Sequence, residues 1–265
     1  IVALVLAPIA LLTAYLGGMM YLALITTVLV IAAWEYAQLM RLADHEPIPL
    51  LVVGGVLLFV LGRWLTEFKS ASWSFSLFLI LSVIFHLFRY ERGHNLAATD
   101  YCATLSATIY TGWLGAYFIS LRQLAQGNIW VIYIFFVVWL TDTAAYFTGV
   151  LWGKRRLCPR LSPKKTWEGF WGGVIAGVAG GALLSLAVRK MGIDISPWEG
   201  SILGFVLALS IPLGDLAISM LKRQVVQKDS GRILPGHGGF LDRLDTLLWA
   251  MPISYYLIQV LFLNL

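Results

Sequence analysis

The chain has 265 residues, of which 59% are hydrophobic and 12% are charged, and its formal net charge is +5. A soluble domain carries about 25% charged residues, so this chain has too little charge to cover a water-facing surface. The composition also excludes a disordered chain. With only Cys102 and Cys158, a disulfide-stapled secreted domain is excluded, and we expect two free thiols because the pair lacks metal-ligand spacing. The sequence therefore predicts an all-α polytopic membrane protein.

Apolar runs recur along the whole chain. A helix needs about 20 mainly apolar residues to cross the hydrocarbon core of a bilayer. The sequence begins at Ile1, so we expect a few residues before it, and the first run lacks a signal-peptide cleavage site. We predict about nine transmembrane helices, near residues 1–17, 19–38, 48–64, 73–89, 97–121, 128–151, 169–188, 200–221 and 244–263.

Lysine and arginine are distributed unevenly among the predicted connections. The connections after the second, fourth, sixth and eighth spans hold 14 of the 19 basic residues, and the opposite connections hold 5. Because cytoplasmic loops are enriched in Lys and Arg, this asymmetry predicts a cytoplasmic N-terminus and an external C-terminus. We expect the basic face to meet anionic headgroups or a phosphate-bearing substrate rather than nucleic acid.

Carboxylates in the first 130 residues lie near span ends or in loops, and we interpret them as incidental. Glu35, which follows Trp34, is predicted to be interfacial. From residue 142 onward, polar residues lie within or beside apolar helices, where an ionisable group is costly and marks a functional candidate. In the sixth span, Asp142 and Tyr146 share a helix face. The alternative is that Asp142 only bonds neighbouring helices.

A basic segment follows the sixth span. Pro163 after Ser162 predicts a helix start with Ser162 as the N-cap. A helix N-terminus beside Lys164 and Lys165 would bind an anion. The order of its glycines and lysines is not that of a Walker A loop. A basic juxtamembrane loop without a ligand is the alternative interpretation.

The densest polar segment lies between residues 212 and 245. Asp215, Ser219 and Lys222 fall on one helix face, and Asp242 and Asp245 share a face if that stretch is helical. Carboxylates near a membrane boundary indicate Mg²⁺, which proteins bind through one or two carboxylates plus substrate phosphate. His237, in a glycine-rich turn, is a metal ligand, a phosphate contact or a structural hydrogen bonder.

The run from Ser219 to Asp245 resembles the signature of the CDP-diacylglycerol synthases, also called phosphatidate cytidylyltransferases. All 27 positions of the run agree with that signature. The Asp-x-x-Ala-Tyr segment at Asp142 and the run Ser-Pro-Lys-Lys-Thr-Trp-Glu-Gly-Phe from Ser162 are also similar to this family. The resemblance covers roughly residues 139–252, and the N-terminal half matches only as apolar spans.

The resemblance implies transfer of the cytidylyl group of CTP to phosphatidate, giving CDP-diacylglycerol and pyrophosphate in phospholipid biosynthesis. It implies Mg²⁺, at a centre that can include a monovalent cation such as K⁺, and aspartates matching Asp215 and Asp242 at that centre. It also implies a homodimer in the lipid bilayer with a polar cavity open to the cytoplasm. We expect a bacterial inner membrane protein, with residues 1–127 as N-terminal transmembrane helices and residues 128–265 as the catalytic region of one integral membrane unit.

On this interpretation the polar residues divide into two sets. The predicted catalytic residues are Asp215, Asp242, Asp245, Asp229 and Lys228, of which Asp215, Asp242 and Asp245 hold the metal. The predicted substrate-binding residues are Ser162, Lys164, Lys165, Lys222, Arg223, His237, Arg243, Asp142 and Tyr146.

Other functions stay open from the residues alone. A CTP-dependent kinase of polyprenol-type lipids would use similar groups to transfer the γ-phosphoryl group. A CDP-alcohol phosphotransferase is disfavoured because its Asp-Gly-x₂-Ala-Arg pattern is missing. A transporter would use Asp142 and Asp215 as ion sites, but the polar residues crowd into one half of the chain rather than into two related halves.

Overall fold

A computed structural model describes residues 2–231, 233, 236 and 238–262, with side chains from residue 6 onward. About 80% of the chain is helical, as the composition predicts. The helices are Val2–Leu16 (α1), Gly18–Leu42 (α2), Pro49–Thr66 (α3), Ala71–Glu91 (α4), Ala97–Thr108 (α5), Tyr117–Gln123 (α6), Gly127–Trp152 (α7), Trp167–Arg189 (α8), Pro197–Gln224 (α9), Leu241–Leu244 (α10) and Leu247–Phe262 (α11). Strands Arg156–Cys158 (β1) and Ser162–Thr166 (β2) form one antiparallel hairpin.

Six helical stretches within the described residues are long and apolar enough to cross a membrane. They are Gly18–Leu42, Pro49–Glu91, Gly127–Trp152, Trp167–Arg189, Pro197–Gln224 and Leu241–Phe262. The second of these contains two predicted spans, α3 and α4, joined by a 3₁₀ turn. The predicted span at 97–121 is divided into α5, a π-helical turn and α6. The number nine and the orientation remain predictions.

Contacts divide the chain into two compact units, and α9 runs from one into the other. The first unit consists of residues 1–123 and 221–244, and the second of residues 124–220 and 245–265. The predicted division at residue 127 follows the chemistry-bearing residues rather than packing, and it remains a prediction. Both cysteines are free, as predicted.

A buried arginine lies in the core of the first unit. Arg63, in the last turn of α3, is 1% exposed. Its guanidinium carbon lies 3.7 Å from the ring centroid of Phe68 and less than 5 Å from those of Trp113 and Tyr117, and Nη1 donates to Ser120 Oγ. Burial of a cation is costly unless it is compensated, and three aromatic faces supply that compensation. Arg63, which the charge distribution predicts in a loop, is therefore a core residue.

Glycines hold α7, α8 and α9 together in the second unit. Gly169, Gly173, Gly177 and Gly181 recur every fourth residue of α8. A Cβ on Gly173 would lie 3.2 Å from Thr141 O of α7, and one on Gly177 would lie 2.9 Å from Gly204 O of α9. Small residues at this spacing let helix backbones approach closely. The three helices therefore pack at short range, and α7 and α9 carry Asp142 and Asp215.

Candidate active site

Five of the predicted site residues lie in two polar clusters, one in each unit. The Asp242 cluster, in the first unit, consists of Glu35, Lys222, Ser230, Gly239 and Asp242. The Asp215 cluster, in the second unit, consists of Asp142, Lys165, Asp215 and Ser219. Each cluster combines aspartate with lysine, Asp242 with Lys222 and Asp215 with Lys165.

Both oxygens of the Asp242 carboxylate accept hydrogen bonds, one on Oδ1 and three on Oδ2. Its Oδ1 accepts a hydrogen bond from Lys222 Nζ at 2.6 Å. Its Oδ2 accepts from Ser230 N at 2.7 Å, Ser230 Oγ at 3.0 Å and Gly239 N at 3.1 Å. The Lys222 and Asp242 side chains are 10% and 7% exposed. Charge-assisted hydrogen bonds of this kind are stronger than neutral ones, so the pair fixes Asp242 relative to the end of α9.

Glu35 belongs to the same cluster, which corrects its predicted interfacial position. It is 3% exposed, and its carboxylate accepts hydrogen bonds from Leu241 N at 2.8 Å, Phe240 N at 3.2 Å and Ser230 Oγ at 3.1 Å. An acid near the end of an apolar run has the same local sequence whether it meets water or a distant segment. No local signal could therefore have distinguished the two positions.

Glycines line the space occupied by the carboxylates of Glu35 and Asp242. A Cβ added at Gly231 or Gly239 would overlap the carboxylate of Glu35, and one added at Gly238 would lie 2.7 Å from Asp242 Oδ2. Gly238 also has a φ of +75°, which side chains rarely adopt. The sequence predicts that glycines here let the backbone approach a ligand closely. In the structure the backbone approaches the carboxylates of Glu35 and Asp242.

The Asp215 cluster contains an ion pair that is more accessible. Lys165 Nζ lies 2.6 Å from Asp215 Oδ2, and the two side chains are 27% and 31% exposed. Ser219 Oγ donates to Asp215 Oδ1 at 3.2 Å, so these two residues share a face of α9 as their spacing predicts. Asp142 is within electrostatic range of both Lys165 and Asp215. Among the described residues the ion pair joins Lys165 to Asp215, and Asp142 adds a second carboxyl group near that pair.

The basic segment folds differently from its prediction. Ser162 is not a helix N-cap, because Ser162–Thr166 forms strand β2, with Arg156 paired to Thr166 and Cys158 to Ser162. Pro163 is tolerated at the edge of a two-stranded hairpin, where its missing N–H costs no central ladder bond. The helix begins at Trp167, and Thr166 is the cap: its Oγ1 accepts from Gly169 N at 3.1 Å. Lys164 and Lys165 therefore extend from a strand.

Glu168 is a further residue that the sequence reasoning missed. Its carboxylate accepts a hydrogen bond from Lys154 N at 3.0 Å and from Arg155 N at 3.2 Å. These amides follow α7, so Glu168 fixes the start of the hairpin. The Trp-Glu-Gly spacing after a capping threonine was the signal, because an acid in the first turn of a helix is well placed to bind nearby N–H groups.

The other predicted residues differ in burial and in whether they are described. Asp242 lies in α10, which ends at Leu244, and Asp245 follows that end, so the condition for a shared face, one helix through both residues, is not met. Asp245 is 7% exposed, and its Oδ1 accepts from Thr246 N. His237 lies outside the described residues. The exposed members of the predicted set are Asp142, Tyr146, Lys164, Arg223, Lys228, Asp229 and Arg243.

The observed helix cap gives a testable prediction. Thr166→Ala removes the side-chain acceptor for Gly169 N and should lower the free energy of unfolding by about 1 kcal/mol. Ser162→Ala is the matched control, because it removes the cap that the sequence predicts and leaves the observed one intact. Thermal unfolding in detergent measures both variants. An equal or larger loss in Ser162→Ala would contradict the strand assignment.

Comparison with known proteins places the chain in a family. A model of the cytidylyltransferase family matches residues 1–261. A phosphatidate cytidylyltransferase of Mycobacterium bovis is 31% identical over 253 residues, which cover 91% of this chain and 81% of that protein. The phosphatidate cytidylyltransferase of Bacillus subtilis (strain 168) is 42% identical over 155 residues, 58% of this chain and 56% of that protein.

A third relative, the phosphatidate cytidylyltransferase of Brucella suis, is 48% identical over 125 residues, 47% of this chain and 45% of that protein. The chain therefore spans about half the length of the Bacillus and Brucella relatives that it matches. The family model, in contrast, covers both halves of the chain, including the N-terminal half that the motifs leave unassigned. These matches confirm the family resemblance, and the chain belongs to the cytidylyltransferase family.

Proposed function

We propose that the protein transfers the cytidylyl group of CTP to phosphatidate, giving CDP-diacylglycerol and pyrophosphate. The observation that carries the proposal is the buried Lys222–Asp242 pair, bonded to Ser230 and Gly239, in a segment that has the family signature. The relatives named phosphatidate cytidylyltransferase support this choice of substrates.

The proposed reaction needs no nucleophilic side chain. A phosphate oxygen of phosphatidate attacks the α-phosphorus of CTP, a new P–O bond forms, and the bond from the α-phosphorus to the bridging oxygen breaks. Pyrophosphate leaves with that electron pair. Because the nucleophile is already an anion, the barrier lies in repulsion between two polyanions and in the charge that develops on the leaving group. Positioned cations and donors lower such a barrier.

Lys222 and Lys165 are already oriented by aspartates, which suits them to neutralise phosphate charge. A lysine ammonium has three donors. Lys222 gives one to Asp242 and Lys165 gives one to Asp215, so each can direct others at phosphate oxygens without losing its anchor. We propose that the exposed cations contact the triphosphate and the phosphatidate headgroup from outside each cluster. These are Lys164, Arg223, Lys228 and Arg243.

The aspartates fit Mg²⁺ as oxygen ligands. In the described residues, Asp242 Oδ1 has a single donor, Lys222, and Asp215 Oδ1 has a single donor, Ser219. Each carboxylate therefore has an oxygen with capacity for a hard cation, which proteins bind through one or two carboxylates plus phosphate oxygens. We propose Asp215, Asp242 and Asp245 as ligands, with Asp229 assisting and K⁺ as a candidate second cation. Bound Mg²⁺ would neutralise phosphate charge.

We also propose where the protein acts. Six apolar helices and bacterial relatives support an integral membrane protein. The basic connections support a cytoplasmic active site in a bacterial inner membrane, because positive loops stay on the cytoplasmic side. CTP is a water-soluble substrate and phosphatidate is a lipid, so the site must be reached from both phases. A homodimer is proposed from the family resemblance.

Label transfer tests the proposed reaction. Purified protein receives phosphatidate, Mg²⁺ and CTP labelled at either the α- or the γ-phosphate. We expect α-label in the lipid fraction and an equal amount of released pyrophosphate. Transfer of γ-label to an alcohol lipid in a parallel sample would instead show the lipid kinase. Absence of both transfers in folded protein would contradict the proposal.

The Asp215 cluster gives a second prediction. Asp215→Asn removes one negative charge beside Lys165 and one candidate metal ligand, and kcat/KM should fall about a hundredfold or more. Asp194→Asn is the matched control, because Asp194 has a side chain that is 95% exposed in the connection after α8. Steady-state kinetics at saturating Mg²⁺ measure both. A loss of less than about threefold in Asp215→Asn would remove Asp215 from the proposed machinery.

A further inference from the structure

We propose that Glu35 is a positioning residue for residues 230–231 and 238–242, which together are called the active-site segment below. Glu35 lies in α2, in the half of the chain that carries none of the signature. By holding Ser230, Phe240 and Leu241, it fixes where Asp242 and its partner Lys222 present their charges. The inference rests on the proposed function, since positioning matters only if the Asp242 cluster is catalytic.

The first argument is the number and range of the hydrogen bonds. The three donors to the Glu35 carboxylate lie 195, 205 and 206 residues later in the chain. An ionised carboxylate at membrane depth is costly unless it is paired or hydrogen-bonded. Because Glu35 is 3% exposed, the later segment supplies the hydrogen bonds that water cannot give to its carboxylate. Glu35 and the segment therefore hold each other in one arrangement.

The second argument is that Glu35 and Asp242 converge on one hydroxyl. Ser230 Oγ lies 3.1 Å from Glu35 Oε2 and 3.0 Å from Asp242 Oδ2. A hydroxyl has one hydrogen to donate, so a shift of Glu35 changes what Ser230 offers to Asp242. Leu241, whose N–H bonds to Glu35, is the residue directly before Asp242. Glu35 is thus connected to Asp242 by two routes, one through the Ser230 hydroxyl and one through the Leu241 backbone.

The third argument is that the segment is shaped around this carboxylate. A Cβ at Gly231 would overlap Glu35 Oε1, and one at Gly239 would overlap Glu35 Oε2. A side chain at either glycine would therefore displace the Glu35 carboxylate from its present position. Catalytic groups lose about a hundredfold in rate when they are displaced by about 1 Å. A residue that sets the depth of this segment therefore affects turnover without touching either substrate.

Kinetics of the full chain in lipid nanodiscs test the inference. Glu35→Gln keeps the shape but loses the charge and one acceptor, and we expect kcat to fall about ten- to a hundredfold. KM for CTP and for phosphatidate should change less than about twofold, because Glu35 touches neither. Ser230→Ala should lower kcat as well, and the double variant should be no worse than the poorer single variant, since both act through one contact. Glu91→Gln, an exposed acid at the end of α4, is the matched control.

Hydrogen exchange supplies a readout that does not depend on activity. Amides of Ser230, Gly239 and Leu241 should exchange faster in Glu35→Gln than in the wild type. If Glu35→Gln does not accumulate, Glu35→Asp replaces it in both measurements. Glu35→Asp keeps the carboxylate but shortens the side chain by one methylene.

Several outcomes would overturn the inference. Wild-type kcat in folded Glu35→Gln, with or without faster exchange, would leave Glu35 only a structural role. Additive losses in the double variant would also overturn it, because they would separate Glu35 from Ser230. If the wild type itself fails to transfer α-label, the proposed function fails, and the exchange rates then decide whether Glu35 holds the segment.

Discussion

An ion pair withdrawn from water constrains the arrangement of the Asp242 cluster. Lys222 and Asp242 are 10% and 7% exposed, and burial of two charges is costly unless their remaining hydrogen-bonding capacity is satisfied. Asp242 meets this requirement with the backbone N–H groups of Ser230 and Gly239, which both point at its carboxylate. Glu35 binds Ser230, Phe240 and Leu241 beside the same carboxylate. The glycines follow from this requirement, because side chains there would occupy the space of the carboxylates.

The second unit also contains a lysine–aspartate ion pair, and this pair is more exposed to solvent than Lys222–Asp242. Lys165 is paired with Asp215 and lies within range of Asp142, and the close packing of α8 against α7 and α9 sets where these side chains can be. Lysines anchored by aspartates suit a reaction between two polyanions, because each lysine is oriented before a phosphate arrives. Such preorganisation stabilises charge as it develops without reorganisation during the reaction. The repeated pairing therefore fits nucleotidyl transfer better than ion transport, which requires sites that release their cation.

Sequence reasoning predicted what depends on local pattern and missed what depends on distant contact. The helical class, the shared face of Asp215 and Ser219 and the crowding of glycines near Asp242 all follow from spacing and composition. The four-residue glycine repeat of α8 was also visible and would have predicted its close packing. Glu35 and Arg63 were misplaced because their partners lie elsewhere in the chain, and a charged residue near a span end has the same pattern whether it faces water or the core. Ser162 was misassigned because a Ser-Pro pair suits a helix start, while hairpin pairing moved that start to Trp167.

The turnover of Asp242→Asn tests the central claim most directly, because this one change removes the charge around which Lys222, Ser230 and Gly239 are arranged. Transfer of α-label from CTP to phosphatidate is measured at saturating Mg²⁺, in protein shown by its membrane insertion and thermal unfolding to be folded. We predict a loss of about a hundredfold or more in rate, which corresponds to at least about 2.7 kcal/mol of transition-state stabilisation. Near-normal transfer in the folded variant would contradict the assignment of Asp242 and, with it, the catalytic role of its cluster.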